Sequence, residues 1–134
     1  MAGRRLLIVD DENDMLDFLE RVFRRDFEVL RAHSVEEAEQ ILYGTPGGPT
    51  TAAAPVDVVI TDRRMPKRGG LELLESVAER HPGTARVLLT GYADSLVDEK
   101  VTQWKLVDAW ISKPIDSAAL KQAVLDAIEK RKHG

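Results

Sequence analysis

The chain has 134 residues, of which 43% are hydrophobic and 31% charged, and this composition predicts one globular domain over residues 1–134. Its formal net charge of −4 argues against a nucleic-acid-binding surface over the whole domain, and the absence of cysteine excludes disulfides and thiolate metal sites. No apolar run approaches the roughly 20 residues that a membrane-spanning helix needs, and the N-terminal segment lacks a signal-peptide pattern, so we expect a cytoplasmic protein.

The first third of the chain alternates between strand and helix patterns. Residues 6–9 form a continuous apolar run, which predicts a strand buried on both faces. Apolar residues then recur at helical spacing across residues 15–23, which predicts an amphipathic helix. Residues 27–32 are half polar, and we expect them to form a strand near an edge of the sheet. Ser34 and Glu37 form a capping-box pattern, so a second helix is expected to begin there.

A segment rich in Gly, Pro, Thr and Ala interrupts this alternation at residues 44–55. Because it has no apolar period, it predicts a flexible loop between the second helix and the third strand. Such a connection lies at the amino-terminal edge of a parallel sheet, away from any site at the carboxyl ends of the strands. We interpret it as a surface insertion, and a partner-specific loop is the alternative.

The second part of the chain continues the same alternation. It predicts, in order, strand 56–61, helix 70–80, strand 85–90, a polar helix around 95–104, a short strand 108–112 and a last helix over about 117–130, with Leu120, Val124, Ala127 and Ile128 on its inner face. Five strands that alternate with five helices predict an α/β fold, in which a five-stranded parallel sheet lies inside a three-layer sandwich.

Polar residues follow four of the predicted strands at their carboxyl ends, the edge where open parallel sheets bind ligands. They are, in chain order, Asp10, Asp11, Asp62, Thr90 and Lys113. Three neighbouring carboxylates repel one another, so either some of them are protonated or a cation lies among them in addition to Lys113, which can neutralise one charge. Mg²⁺ prefers such oxygen ligands together with waters and phosphate oxygens. A carboxylate beside this metal can form an aspartyl phosphate, whose oxygens Lys113 and Thr90 would hold.

Four motifs around these positions resemble the receiver domain of two-component response regulators: LIVDDE, VVITDRRMPKRGGLELL, VLLTGYAD and WISKP. The resemblance covers nearly the whole chain and implies the flavodoxin-like receiver fold with strand order 2-1-3-4-5. It implies that Asp62 accepts a phosphoryl group. It also implies that Asp10, Asp11 and Asp62, together with the backbone carbonyl of Arg64, bind Mg²⁺.

The resemblance further implies a switch. Thr90 hydrogen-bonds the phosphoryl group, Lys113 pairs with it, and the Lys113–Pro114 peptide bond is cis. Trp110, at the family's aromatic switch position, then turns inward and reshapes a protein-binding surface made by the fourth helix, fifth strand and fifth helix. A half-buried strand aromatic that does not move is the alternative, because an indole is bulky for such a turn.

Two large residues occupy positions at which the family tunes loss of the phosphoryl group. Arg64 lies two residues after Asp62, and Tyr92 lies two residues after Thr90. We expect both side chains to shield the acyl phosphate from water and to slow its hydrolysis. The alternative is that both simply point into solvent.

The resemblance names partners by class. A sensor histidine kinase or a histidine phosphotransfer protein donates the phosphoryl group, and a downstream protein binds the switched surface. A homodimer is compatible with this scheme. We expect neither direct nucleic-acid binding nor membrane binding. Few residues follow the last predicted helix, so we expect no output domain in this chain. It is either a stand-alone regulator or the receiver part of a longer protein.

Two other functions compete with this interpretation. A binding module that works without phosphorylation would not need the complete polar set, so the presence of that set argues against it. A phosphatase of the haloacid dehalogenase type needs a second aspartate two residues after its nucleophile, and this chain has Arg64 there. We therefore expect the protein to catalyse only its own phosphoryl transfer and its own slow dephosphorylation, and not to act as an enzyme on other substrates.

Overall fold

The computed structural model of the protein describes residues 4–44, 56–65, 67–91 and 106–133. Within these ranges, five strands and four helices follow one another along the chain. They are β1 (Arg4–Val9), α1 (Asn13–Phe23), β2 (Phe27–Ala32), α2 (Val35–Tyr43), β3 (Val58–Asp62), α3 (Gly70–Arg80), β4 (Ala85–Thr90), β5 (Ala109–Ser112) and α4 (Ser117–His133). The helix predicted around residues 95–104 and nearly all of the loop predicted at 44–55 lie outside the described residues.

All five strands belong to one parallel sheet in the order β2-β1-β3-β4-β5. The predicted fold class and strand order are therefore confirmed, and β2 lies at an edge as expected. β3 and β4 are buried over their whole length, as central strands with covered faces should be, whereas β5 is the opposite edge and its residues alternate between half-buried and exposed.

Helices cover both faces of the sheet and divide the core in two. α1 and α4 pack against one face, α2 and α3 against the other. The inner face predicted for the last helix is confirmed, because all four of its apolar residues are buried: Leu120, Val124, Ala127 and Ile128. No helix in the described part of the chain is long and apolar enough to cross a membrane.

Three strands begin away from their predicted positions, and β5 differs least, since it starts at Ala109 rather than at residue 108. β1 starts at Arg4 rather than at residue 6, because its pairing with β2 extends over two charged residues that the apolar pattern leaves out. β3 starts at Val58 rather than at residue 56. The Asp57 carboxylate there accepts a hydrogen bond from the backbone N–H of Arg5 at 2.8 Å, so a side chain takes part before the strand ladder begins.

The helix starts agree better with prediction, because local side chains determine them. Ser34 caps α2 by accepting a hydrogen bond from the backbone N–H of Glu37 at 3.1 Å, as the capping-box pattern predicted. α3 spans Gly70–Arg80 as predicted. These two helices place the β2–α2 and β3–α3 loops at the carboxyl edge of the sheet.

Candidate functional site

Three aspartates meet where the strand order reverses between β1 and β3. Val9 pairs with Thr61 in the register of these strands, so the residues that follow, Asp10 and Asp62, emerge side by side. Asp10, Asp11 and Asp62 each offer a carboxylate oxygen, and these oxygens lie within 4.8 Å of one another. A reversal point of this kind is where open α/β sheets bind ligands.

Burial makes this cluster costly in its fully ionised form. Asp10 has no exposed surface, and its pKa is raised to about 6, first by burial and further by repulsion from Asp62, against the lowering effect of a 2.9 Å hydrogen bond from the backbone N–H of Glu12. Burial also raises the pKa of Asp62, although the neighbouring Lys113 offsets part of this rise. Both shifts mean that a cation placed among the carboxylates would be bound favourably.

The donor set fits a hard dication. Oδ2 of Asp10 is buried and has no hydrogen-bond partner among the described residues, although its Oδ1 is bonded. A buried carboxylate oxygen without a donor is destabilising unless a ligand meets it. Together with the oxygens of Asp11, which is exposed, and of Asp62, this atom supplies the all-oxygen environment that Mg²⁺ takes in proteins.

Lys113 follows the edge strand β5, and its side chain reaches across the end of β4 to the cluster. Its Nζ lies 3.3 Å from Oδ1 of Asp62, although β4 separates the strands that carry the two residues. The backbone N–H of Lys113 donates to the carbonyl of Thr90 at 2.8 Å, and the Lys113–Pro114 peptide bond is cis, as the resemblance implied. The ammonium group lies beside the Asp62 carboxylate.

Thr90 is the last residue of β4, with 4% of its surface exposed. Its Oγ1 is buried and has no hydrogen-bond partner in the part of the chain that the structure describes. Asp62 pairs with Leu89, so Thr90 lies one residue beyond the level of Asp62 on the neighbouring strand. The structure thus brings all five predicted strand-end residues to one edge.

Gly70 lets α3 approach the backbone of Asp62. A Cβ at this position would clash with the carbonyl oxygen of Asp62 and would lie 3.0 Å from Oγ1 of Thr61. The backbone N–H of Gly70 also donates to the carbonyl of Arg63 at 2.9 Å. The start of α3 therefore packs directly on the end of β3 and limits movement of Asp62.

Arg68 fixes the β3–α3 loop and was not identified from the sequence. Its guanidinium binds both carboxylate oxygens of Glu39 in α2, at 2.7 and 3.0 Å, and also Glu72 at 3.1 Å. The spacing of Arg68 and Glu72 was a readable signal, because residues four apart can pair along one turn. The Glu39 contact could not be read, since it joins residues 29 positions apart.

Two of the other predicted site residues, Arg64 and Trp110, lie exposed at the surface. Arg64 is exposed in the loop after β3, and Tyr92 lies outside the described residues. Trp110 is 38% exposed on β5, so it is more open to solvent than the half-buried aromatic that was considered as an alternative. Its movement on activation stays a prediction.

An open cleft of about 500 Å³ adjoins the carboxylates on the side of the β2–α2 loop. Its lining includes Asp11, His33 and Lys67, so it carries charges of both signs. Lys67 adopts a positive φ of 71° at its rim, a left-handed conformation that is uncommon for lysine. The cleft therefore opens beside the exposed carboxylate of Asp11.

Comparison with known proteins agrees with this geometry. Residues 6–125 match the family model for the response regulator receiver domain. The chain is 31% identical to the response regulator protein PilR of Pseudomonas aeruginosa over 133 residues, which cover 98% of this chain and 27% of PilR. It is 32% identical to the photosynthetic apparatus regulatory protein RegA of Rhodobacter capsulatus, with coverage of 92% and 62%.

A solved structure gives the same picture. The response regulator receiver domain protein from Clostridium thermocellum superposes with a TM-score of 0.80 at 29% identity, covering 96% of this chain and 97% of that one. The chain spans only 27% of PilR, and 17% and 24% of two hydrogenase transcriptional regulatory proteins named HoxA, from Cupriavidus necator and Bradyrhizobium diazoefficiens.

Proposed function

Because this chain belongs to the response regulator receiver family, we propose that it accepts a phosphoryl group on Asp62 in a Mg²⁺-dependent reaction. The observation that carries the proposal is the meeting of three carboxylates with the Lys113 ammonium, 3.3 Å from Asp62, at one sheet edge. A carboxylate in this setting can act as a nucleophile toward phosphorus. Its environment supplies the positioning and charge neutralisation on which phosphoryl transfer depends.

The metal would be held by Asp10, Asp11 and Asp62, together with the backbone carbonyl of Arg64. When bound, Mg²⁺ neutralises negative charge on the carboxylates and on the oxygens of the transferred group. The orphaned Oδ2 of Asp10 supports this assignment, because a cation would satisfy an atom that the described residues leave without a donor.

Asp62 performs the transfer itself. One of its carboxylate oxygens attacks the phosphorus of the donor phosphohistidine, the new P–O bond forms as the P–N bond breaks, and the donor imidazole leaves with the electron pair of the broken bond. The donor is a sensor histidine kinase or a histidine phosphotransfer protein. The start of α3, packed on the acceptor backbone, keeps the carboxylate in place for this attack.

Lys113 and Thr90 then hold the product. The ammonium that pairs with the free carboxylate can pair with the phosphoryl group once that carboxylate is phosphorylated. The buried hydroxyl of Thr90 has no partner among the described residues, so it can donate to a phosphoryl oxygen without first breaking another bond.

Phosphorylation of Asp62 would then change the shape of a protein-binding surface. Movement of Thr90 toward the phosphoryl group acts on β5, because Trp110 pairs with Leu88, two residues before Thr90 in β4. A local change of charge would in this way bias the protein-binding surface formed by β5, α4 and the segment before β5. A downstream protein that binds this surface, and one receiver domain over residues 1–134, complete the proposal.

Arg64 and Tyr92 are proposed to control how long the phosphoryl group survives. Arg64 follows the acceptor by two residues and is exposed at the mouth of the site, where a long side chain can exclude water. We expect Arg64→Ala to shorten the lifetime of the acyl phosphate, measured as the decay of phosphorylated protein in EDTA. An unchanged lifetime would contradict the shielding role.

Beryllofluoride binding tests the function as a whole, because this anion coordinates a carboxylate as a mimic of the acyl phosphate. We expect ¹⁹F NMR to show a bound signal that requires Mg²⁺ and is absent in Asp62→Ala. The competing function, a binding module that works without phosphorylation, predicts no Mg²⁺-dependent signal in the wild type. That result would overturn the proposal.

A further inference from the structure

Residues 106–108 are attached to β4 by a cluster of hydrogen bonds at the amino-terminal edge of the sheet. The Asp108 carboxylate accepts from the backbone N–H of Arg86 at 2.8 Å, and the backbone N–H of Asp108 donates to the carbonyl of Arg86 at 2.8 Å. The Arg86 guanidinium donates to the carbonyl of Leu106 at 2.7 Å. These bonds form just before the β4–β5 ladder, which begins with Val87 opposite Ala109.

A second arginine closes this cluster from the helix layer. Arg131 in α4 binds the Asp108 carboxylate through Nη2 at 2.6 Å and through Nε at 2.8 and 2.9 Å. The Asp108 side chain has no exposed surface, and Arg86 is 3% exposed. Buried polar groups fix the register of some coiled coils, and a cluster as buried as this one can select one pairing of β5 with β4 in the same way.

The same arrangement recurs at the start of β3. The Asp57 carboxylate accepts from the backbone N–H of Arg5 at 2.8 Å, and the backbone N–H of Asp57 donates to the carbonyl of Arg5 at 2.9 Å. A Val-Asp dipeptide precedes both strands, at residues 56–57 and 107–108. We call each reciprocal pair of bonds an aspartate clip.

Each clip aspartate precedes a functional residue by the same number of positions in the sequence. Asp62 follows Asp57 by five positions, and Lys113 follows Asp108 by five positions. A slip of one residue would move either functional group by about 3.3 Å along its strand and reverse the faces of the strand. β5 is the strand in which such a slip is easiest. It is an edge strand of four residues, and two of the four are exposed.

We propose that Asp57 and Asp108 are positioning residues, each of which fixes the register of the strand that follows it and so places the functional residue five positions later. The clip at Asp57 sets Asp62 beside Asp10, and the clip at Asp108 sets Lys113 beside Asp62. The inference rests on the proposed function, because it assigns Lys113 to the phosphoryl group.

Affinity for beryllofluoride in Mg²⁺, measured by titration in ¹⁹F NMR, tests the inference. We expect Asp108→Ala and Asp57→Ala to weaken binding by about tenfold or more, because small misplacements of reacting groups are that harmful. Asp57→Asn should remain within about twofold of the wild type, since an amide oxygen can still accept the backbone bond. Val77→Ala, which empties space under α3 and removes no hydrogen bond of either clip, is the matched control for lost stability.

A double-mutant cycle separates positioning from general destabilisation. If Asp108 acts through Lys113, Asp108→Ala should weaken binding little further in a Lys113→Ala background. The inference alone would be overturned if the two losses multiplied, or if Asp57→Ala and Asp108→Ala matched Val77→Ala. Should Asp108→Ala fail to fold, the Ala and Asn variants at Asp57, whose clip is exposed, still decide the question. Failure of the proposed function would be visible separately, as a wild type that does not bind beryllofluoride.

Discussion

At the scale of a single residue, ionisation of the buried Asp10 carboxyl lowers the stability of the fold. Its pKa of about 6 in the folded state lies above the usual value of 3.8, so between these two pH values the folded state holds a proton that the unfolded state has released. A group of this kind stabilises the fold below its unfolded pKa and loses that contribution as the pH rises through its folded pKa. Asp62 acts in the same direction, because its pKa is also raised.

We therefore predict that the metal-free protein loses on the order of 2 kcal/mol of unfolding free energy between pH 4 and pH 7 through Asp10, and that Asp62 adds to this loss in the same direction. Asp10→Asn should flatten this dependence, since an amide does not ionise and its oxygen can still accept from the backbone N–H of Glu12. Urea unfolding in EDTA at several pH values measures it. A wild-type and an Asn variant with parallel pH profiles would contradict the prediction.

Gly70 allows a prediction in which two effects have opposite sign. Alanine is normally the better helix former by up to about 1 kcal/mol, so propensity alone predicts that Gly70→Ala stabilises α3. The added Cβ would clash with the Asp62 carbonyl, and the backbone there cannot move without displacing the Asp62 side chain. We expect the clash to dominate and to destabilise the protein by about 1–3 kcal/mol.

Gly83→Ala is the control for this change, because a Cβ at that position meets nothing within 4 Å. Its unfolding free energy in urea should stay within about 0.5 kcal/mol of the wild type. A Gly70→Ala protein as stable as the Gly83→Ala protein would mean that α3 does not press on the acceptor.

At the scale of secondary-structure elements, the bidentate pair between Arg68 and Glu39 joins the loop after β3 to α2. The guanidinium lowers the pKa of Glu39, so the pair stabilises the protein above the unfolded pKa of that carboxyl and is lost as the pH falls. Glu39→Gln should therefore lower the unfolding free energy at pH 7 by about 1 kcal/mol, the upper range for a partly exposed pair.

Glu28→Gln offers a matched comparison, because Glu28 meets Arg5 through a single contact at 2.8 Å and is more exposed. We expect this variant to lose less than about 0.5 kcal/mol. Equal losses for the two variants, measured by urea unfolding at pH 7, would show that the bidentate geometry adds nothing to the attachment of the loop.

At the scale of the whole molecule, the order of elements was readable because each one carries its own period of apolar residues. The carboxyl-edge site was readable for a related reason. Parallel strands all end at one edge, so strand-end residues such as Asp62 and Thr90 had to lie near one another. The order of the strands came instead from the resemblance, since periodicity does not state which strands are neighbours.

Other features could not be read from local pattern, because their partners are distant in sequence. Asp108 looks like an ordinary polar residue before a strand until the fold brings Arg86 and Arg131 to it. β1 extends over Arg4 because of its pairing with β2, which the apolar run does not reveal. Long-range pairing thus decided what short-range pattern left open.

Intact-protein mass spectrometry after incubation with acetyl phosphate and Mg²⁺ tests the assignment of Asp62 most directly. We predict that the wild type gains one phosphoryl group, that EDTA prevents the gain, and that Asp62→Asn gains none under the same conditions. A wild type that gains nothing, or an Asp62→Asn protein that is modified to the same extent as the wild type, would contradict the central claim that Asp62 is the phosphoryl acceptor.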